Sequence, residues 1–141
     1  MLTCDKNNND RNEISKIVFE CGLKIHRKLS VGLFESVYET CLVYELEKKG
    51  LKVDKQKNLP INYEEIRIEK DFKMDLLVED KVVLEIKSVE VLNNFHATQL
   101  KNYLRLGNYK LGMLLNFNSQ LFKNGVRRIA NGLDEFLENQ K

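Results

Sequence analysis

Apolar residues recur at Ile14, Ile17, Val18, Cys21, Ile25 and Leu29, the three- and four-residue spacing of a helix with one buried stripe. Ser30-Val31-Gly32 interrupts the pattern, which Phe34, Val37, Tyr38, Cys41, Leu42 and Leu46 resume until Gly50 offers a C-cap. From Lys52 to Glu65 the pattern is strand-like, with the lone Pro60 marking an edge strand or a bulge near Leu59. Ile66 to Val78 continues the sheet, and Lys81 to Ser88 is the next strand. A third helix is predicted from about Asn94 to Leu106, with His96, Gln99, Leu100 and Tyr103 on one side and Gly107 just after its end. Lys110 to Phe117 is a nearly unbroken apolar run, which predicts a strand covered on both faces, and Val126 to Leu137 reads as a final amphipathic helix.

A helix-sized segment, Ser88 to Tyr109, separates the Lys110–Phe117 strand from the strand before it, so these two are expected to run parallel with a right-handed crossover. The order αα-βββ-α-β-α then implies an α/β fold, a β-sheet of mixed direction flanked by helices. Residues 1–12 are polar and Asn-rich and are expected to form a flexible tail, with residues 13–141 as a single domain.

Within the sheet, the stretch from Asp75 to Lys87 places two carboxylates and a lysine in strands that otherwise read as buried. If Val78 pairs with Val82 around a three-residue turn Glu79-Asp80-Lys81, Leu76 meets Leu84 and Met74 meets Ile86 on one wholly apolar face. Leu77 then meets Val83, Asp75 meets Glu85 and Lys73 meets Lys87 on the other. A two-residue turn would mix charged and apolar groups on both faces, so the three-residue turn is preferred. Carboxylates opposite each other repel, and a hard cation such as Mg²⁺ or Mn²⁺ relieves the repulsion. The same spacing also fits an exposed hairpin face carrying ordinary charges.

Composition limits the alternatives. Cys4, Cys21 and Cys41 are odd in number, widely spaced and without a CxxC pair, which argues against a disulfide framework and a structural zinc site. No run approaches a membrane span, and a cytoplasmic location is expected, with no membrane partner. Residues 1–98 carry 16 basic and 18 acidic groups, and residues 99–141 carry 7 and 3. That mild basic bias toward the C-terminal part is compatible with a phosphate-backbone partner but is weaker than the stripe of a dedicated nucleic-acid binder.

Gly32-Leu-Phe-Glu35-Ser-Val-Tyr38 reads GxxExxY. With Asp75-Leu-Leu-Val-Glu-Asp, Glu85-Ile-Lys87-Ser-Val, Gln99-Leu-Lys-Asn-Tyr103-Leu, Leu111-Gly-Met-Leu-Leu-Asn-Phe117 and Gly125-Val-Arg-Arg-Ile129 following in order, the chain resembles the GxxExxY protein family of the PD-(D/E)XK nuclease superfamily over about residues 13–132. The resemblance implies a restriction-endonuclease-like core in which Asp75, Glu85 and the main-chain carbonyl of Ile86 hold Mg²⁺ or Mn²⁺. It further implies that Lys87 orients or deprotonates the attacking water, that Glu35 adds a direct or water-bridged metal contact, and that Gln99 and Tyr103 belong to the helix beside the site.

The chemistry suits these residue types, because phosphodiester hydrolysis needs an activated water and neutralisation of phosphoryl charge, and a lysine amine can release a proton where arginine cannot. The expected activity is hydrolysis of nucleic acid, with DNA favoured. The alternative is a noncatalytic nucleic-acid or protein-binding module that keeps the nuclease fold. Tyr38 and Tyr103 also read as packing residues with hydrogen-bonded hydroxyls. His96 has a weaker claim to a phosphate or metal-water contact, and Lys123, Arg127 and Arg128 are the candidates for backbone phosphate contacts. A homodimer is compatible with the sequence, which offers no argument for one.

Overall fold

The computed structural model of the protein describes residues 8–69 and 73–132. Two helices, α1 (Asn8–Leu29) and α2 (Glu35–Lys48), open the chain. Residues 8–12, expected in the tail, already belong to α1. Five strands form the main sheet: β1 (Val53–Asn58), β4 (Lys73–Val78), β5 (Val82–Lys87), β6 (Leu111–Asn116) and β7 (Val126–Ala130), hydrogen-bonded in the order β1-β4-β5-β6-β7. Between β1 and β4 a separate antiparallel hairpin, β2 (Ile61–Tyr63) and β3 (Ile66–Ile68), leaves the sheet. It takes the end of the strand-like stretch Lys52–Glu65 and the start of the stretch Ile66–Val78 out of the main sheet; Glu64, with a left-handed φ of 51°, reverses the chain between β2 and β3. The third helix, α3 (Asn94–Gly107), connects β5 to β6, and these two strands are parallel as the length of the connection requires.

Each face of the sheet has its own core. The α1/α2 side buries Ile14, Val18, Leu42 and Leu46 against Leu76, Val78, Val82, Leu84 and Ile86. The α3 side buries Leu100, Tyr103 and Leu104 against Leu77, Val83 and Leu114. Alternation along β4 and β5 therefore sends successive residues to opposite helical layers. The β4–β5 register, Leu76↔Leu84, Leu77↔Val83 and Val78↔Val82, is the one that the three-residue turn predicts. Glu79 and Asp80 both adopt positive φ there, and Lys81 N donates to Val78 O at 2.9 Å. Cys21 and Cys41 are free thiols within the α1/α2 core; Cys4 lies outside the described residues.

The last element differs from expectation. Val126 to Ala130 is a strand, antiparallel to β6, where the apolar spacing suggests the start of a helix; residues 133–137 of that predicted helix lie outside the described residues. The cause is β6, in which all six residues are buried. An unpaired edge of so apolar a strand would leave backbone groups without partners, and Val126–Ala130 supplies them.

The α1–α2 connection is held from within. Ser30 (φ 62°) and Gly32 (φ 93°) are both left-handed, and the buried Tyr38 hydroxyl donates to Ser30 O at 2.6 Å while accepting from Leu33 N at 3.2 Å. Its ring stacks on Phe117, with centroids 4.5 Å apart. Tyr38→Phe keeps the stack but removes both hydrogen bonds, so it should cost about 1–3 kcal/mol in urea denaturation. An unchanged midpoint would mean that the hydroxyl does not hold this loop.

Candidate active site

Asp75 sits where the sheet ladder breaks on both sides. The β1–β4 pairs run from Lys55↔Leu76 directly to Lys57↔Met74, skipping Gln56 and Asp75, and the β4–β5 pairs stop at Leu76↔Leu84. Gln56 has φ 48°, a strained conformation inside a strand. The kink also changes the face of the preceding residue. Met74, expected beside Leu76 and Ile86, packs instead in the α3-side core.

Carboxylates fill the break. Ile86 N donates to Asp75 Oδ2 at 2.9 Å, and Asp75 N donates to Glu85 Oε1 at 3.3 Å. The two acids thus meet through an exchange of main-chain hydrogen bonds, where simple alternation predicts side chains standing abreast on a regular ladder. Glu85 is only 5% exposed. Burial, and then the neighbouring Asp75 charge, push its carboxyl up to about 8, while burial raises Asp75 as well. The nearby Lys87 charge lowers both acids without reversing either shift.

Helix α2 brings two more carboxylates. Glu35, at its first residue, accepts from Ser88 N at 3.1 Å, and Ser88 Oγ donates to Leu33 O at 2.8 Å, which ties the helix start to the end of β5. Glu39 lies one turn further along the same face. Glu35, Ser36, Glu39, Gln56, Asp75 and Ile86 line a cleft of about 190 Å³. Gln56 Nε2 donates to Glu39 Oε1 at 2.9 Å and lies 3.5 Å from Asp75 Oδ1. Burial, followed by the Asp75 charge, raises the Glu39 carboxyl.

Glu39 and Gln56 were missed by sequence reasoning. The four-residue spacing of Glu35 and Glu39 was a usable signal. The role of Gln56 depends on its left-handed backbone, for which its residue type gives no warning.

On the opposite side, Gln99 hydrogen-bonds Tyr103, whose hydroxyl is pushed up by burial and then by the charges of Glu85 and Asp75. These two predicted residues therefore belong to the surroundings of the carboxylates. Other predicted residues are engaged elsewhere. Tyr38 is committed to the α1–α2 loop. His96 closes a reciprocal cap on α3, its backbone N donating to Asn93 Oδ1 at 3.2 Å while its Nδ1 accepts from Asn93 N at 3.3 Å.

Arg127 and Arg128 occupy β7, the edge strand two positions beyond β5. Arg127 Nη2 approaches Leu92 O at 3.5 Å and Arg128 bonds Asn12, so their side chains serve opposite faces and do not form one phosphate clamp. Lys123 is exposed in the 3₁₀ turn Phe122–Gly125, just before β7.

The donor set fits a hard divalent cation. It offers carboxylate oxygens in a partly dry cleft and excess negative charge. Among the described residues, Glu85 and Asp75 form no ion pair within 4 Å, and no group of three His, Cys, Asp or Glu side chains is placed to hold a metal ion together. Mg²⁺ in particular keeps several waters and needs only one or two protein carboxylates. Gln56→Ala should lower Mn²⁺ affinity about 10- to 100-fold by freeing Asp75 and Glu39 from their shared partner. A calorimetric titration indistinguishable from the parent's would remove Gln56 from the site.

Comparison with known proteins gives the family and the fold. A family model described as PD-(D/E)XK nuclease superfamily matches residues 12–129. The crystal structure of SSO0001 superposes with a TM-score of 0.53 at 16% identity, covering 88% of this chain and 81% of that one, a likeness of fold. No curated protein matches the chain. Among the described residues no helix is long and apolar enough to cross a membrane.

Proposed function

Since the chain belongs to the PD-(D/E)XK nuclease superfamily, we propose that it hydrolyses phosphodiester bonds of nucleic acid, DNA being the favoured substrate, with Mg²⁺ or Mn²⁺ held by Asp75, Glu85, the Ile86 carbonyl and Glu35. One observation carries the reading: Glu85 is buried against Asp75, with Glu35 and Glu39 close by and no described cationic side chain within 4 Å of Asp75 or Glu85. Four neighbouring acids with no cation in ion-pair contact with Asp75 or Glu85 are a poor structural element, and their desolvation is costly unless a ligand compensates it.

A divalent cation bound there supplies a Lewis acid for the phosphoryl oxygens and favours ionisation of water. The remaining steps fall to the chain itself. Lys87, at the end of β5 and half-buried, forms no ion pair within 4 Å with the described carboxylates, which leaves Nζ available to orient the attacking water. Phe117 N donates to Lys87 O at 2.9 Å and fixes the strand end from which that side chain projects. Tyr103, hydrogen-bonded to Gln99, lies near the Glu85 charge on the α3 side, where a drier site strengthens each charge interaction.

The test is incubation of the full chain with supercoiled plasmid, linear duplex, single strands and RNA, in Mg²⁺ or Mn²⁺. Nicking or degradation that stops with EDTA and in Asp75→Ala is expected. Binding without cleavage of every substrate in either metal would favour the noncatalytic module instead.

A further inference from the structure

We propose that the site acts on nucleic acid whose bases are unpaired, and that Phe34, next to Glu35 of the cleft, and Phe95, at the start of α3 on the other face of the sheet, are its stacking platforms; this rests on the nuclease reading above. Phe34 is 82% exposed and Phe95 68% exposed, in a protein whose other phenylalanines among the described residues are buried or partly buried. Their positions relate both to the carboxylates. Phe34 immediately precedes Glu35, and the bonds of Ser88 to Leu33 O and Glu35 hold this segment against the end of β5. Phe95, Gln99 and Tyr103 follow one another at four-residue steps along α3. The inner member, Tyr103, feels the Glu85 charge, Gln99 bonds it, and Phe95 is the outermost ring of that stripe.

Chain direction puts Phe95 at the same end of the sheet as the acids. Helix α3 starts after β5 ends at Lys87 and runs back to the start of the parallel β6, so its first turn lies at the site end. Phe34 belongs to the α1/α2 layer and Phe95 to the α3 layer, on opposite faces of the sheet. Neither ring is required by a core. An exposed phenyl ring is free to stack, and a base offers it a flat apolar face beside a phosphate placed at the carboxylates. A fully paired duplex keeps those faces stacked inside its helix. A single strand, a flap or a frayed end presents them.

The probe is a 12-nucleotide oligothymidylate, compared with a strand of equal length and charge in which the bases are replaced by abasic sites and with a blunt duplex, by fluorescence anisotropy in Ca²⁺. The parent should prefer oligothymidylate over the abasic strand and the duplex. Phe34→Ala and Phe95→Ala should each weaken oligothymidylate binding about ten- to hundredfold, with the abasic strand unaffected and Trp at either position restoring affinity. A 2-aminopurine reporter should lose its stacking-dependent signal change in both Ala variants. Equal affinity for the three ligands, or Ala variants that bind oligothymidylate like the parent, overturns the stacking proposal. If such a protein still cleaves duplex in Mg²⁺, the nuclease reading survives alone; if no nucleic acid binds in any form, both fall.

Discussion

Glu85→Gln should reduce metal-dependent cleavage by on the order of a thousandfold or more and, in metal-free protein, raise thermal stability at pH 8. Both effects come from one carboxyl. Burial and the Asp75 charge lift it from the ordinary 4.5 to about 8 in the folded chain. Between those values the folded protein retains a proton that the unfolded chain has lost, so stability falls as pH rises from about 4.5 through 8. Glutamine fills nearly the same volume and cannot ionise, so it removes this slope. With EDTA present, the parent's melting temperature should decline over this range more steeply than the variant's, and Mg²⁺ should restore the parent only, because a cation that binds the folded state alone stabilises it. Parallel melting curves for the two proteins from pH 5 to 9 would show that Glu85 is not a strained acid. Cleavage that survives the substitution would place the chemistry elsewhere.

Lys87→Met should remove turnover almost as completely while leaving Mn²⁺ affinity within a fewfold of the parent. The side chain keeps much of its apolar length in methionine, so strand β5 and its pairing with β6 should persist. Because Lys87 and the carboxylates serve one step, the combined Glu85→Gln, Lys87→Met protein should be no slower than the worse single variant, and single-turnover cleavage with a common substrate measures this directly. Losses that multiply would mean independent roles. A Lys87→Met protein that retains a tenth or more of the parent rate would exclude the amine from the cleavage step.

Much of this architecture is legible from alternation alone. The apolar residues flanking Glu79, Asp80 and Lys81 admit one register that keeps charge off one face, and that register is observed from Val78↔Val82 to Leu76↔Leu84, where it breaks off at Asp75. The length between β5 and β6 requires a crossover, and α3 supplies it. Two features depend on tertiary demands. Val126–Ala130 has apolar spacing that a helix could use, but the open edge of the buried β6 claims it as a strand. The kink at Asp75 overrides alternation, sending Met74 to the other core and bringing the acid toward Glu39 and Gln56. Local propensity carries no record of either.

The candidate site divides in the same way. Asp75, Glu85 and Glu35 are identifiable as charges in apolar or motif positions, and they come together. Arg127 and Arg128 look like a pair only along the sequence, since consecutive residues of a strand face opposite ways. Gln56 is invisible without its backbone angle.

The most direct test of the account is isothermal titration of Mn²⁺ into the full chain and into Asp75→Asn, before any substrate is known. The parent should bind the cation saturably, with proton release near pH 7 as the cation displaces the proton from Glu85, and Asp75→Asn should lose that binding. Identical isotherms for the two proteins, or a parent that binds no cation at millimolar concentration, would contradict it.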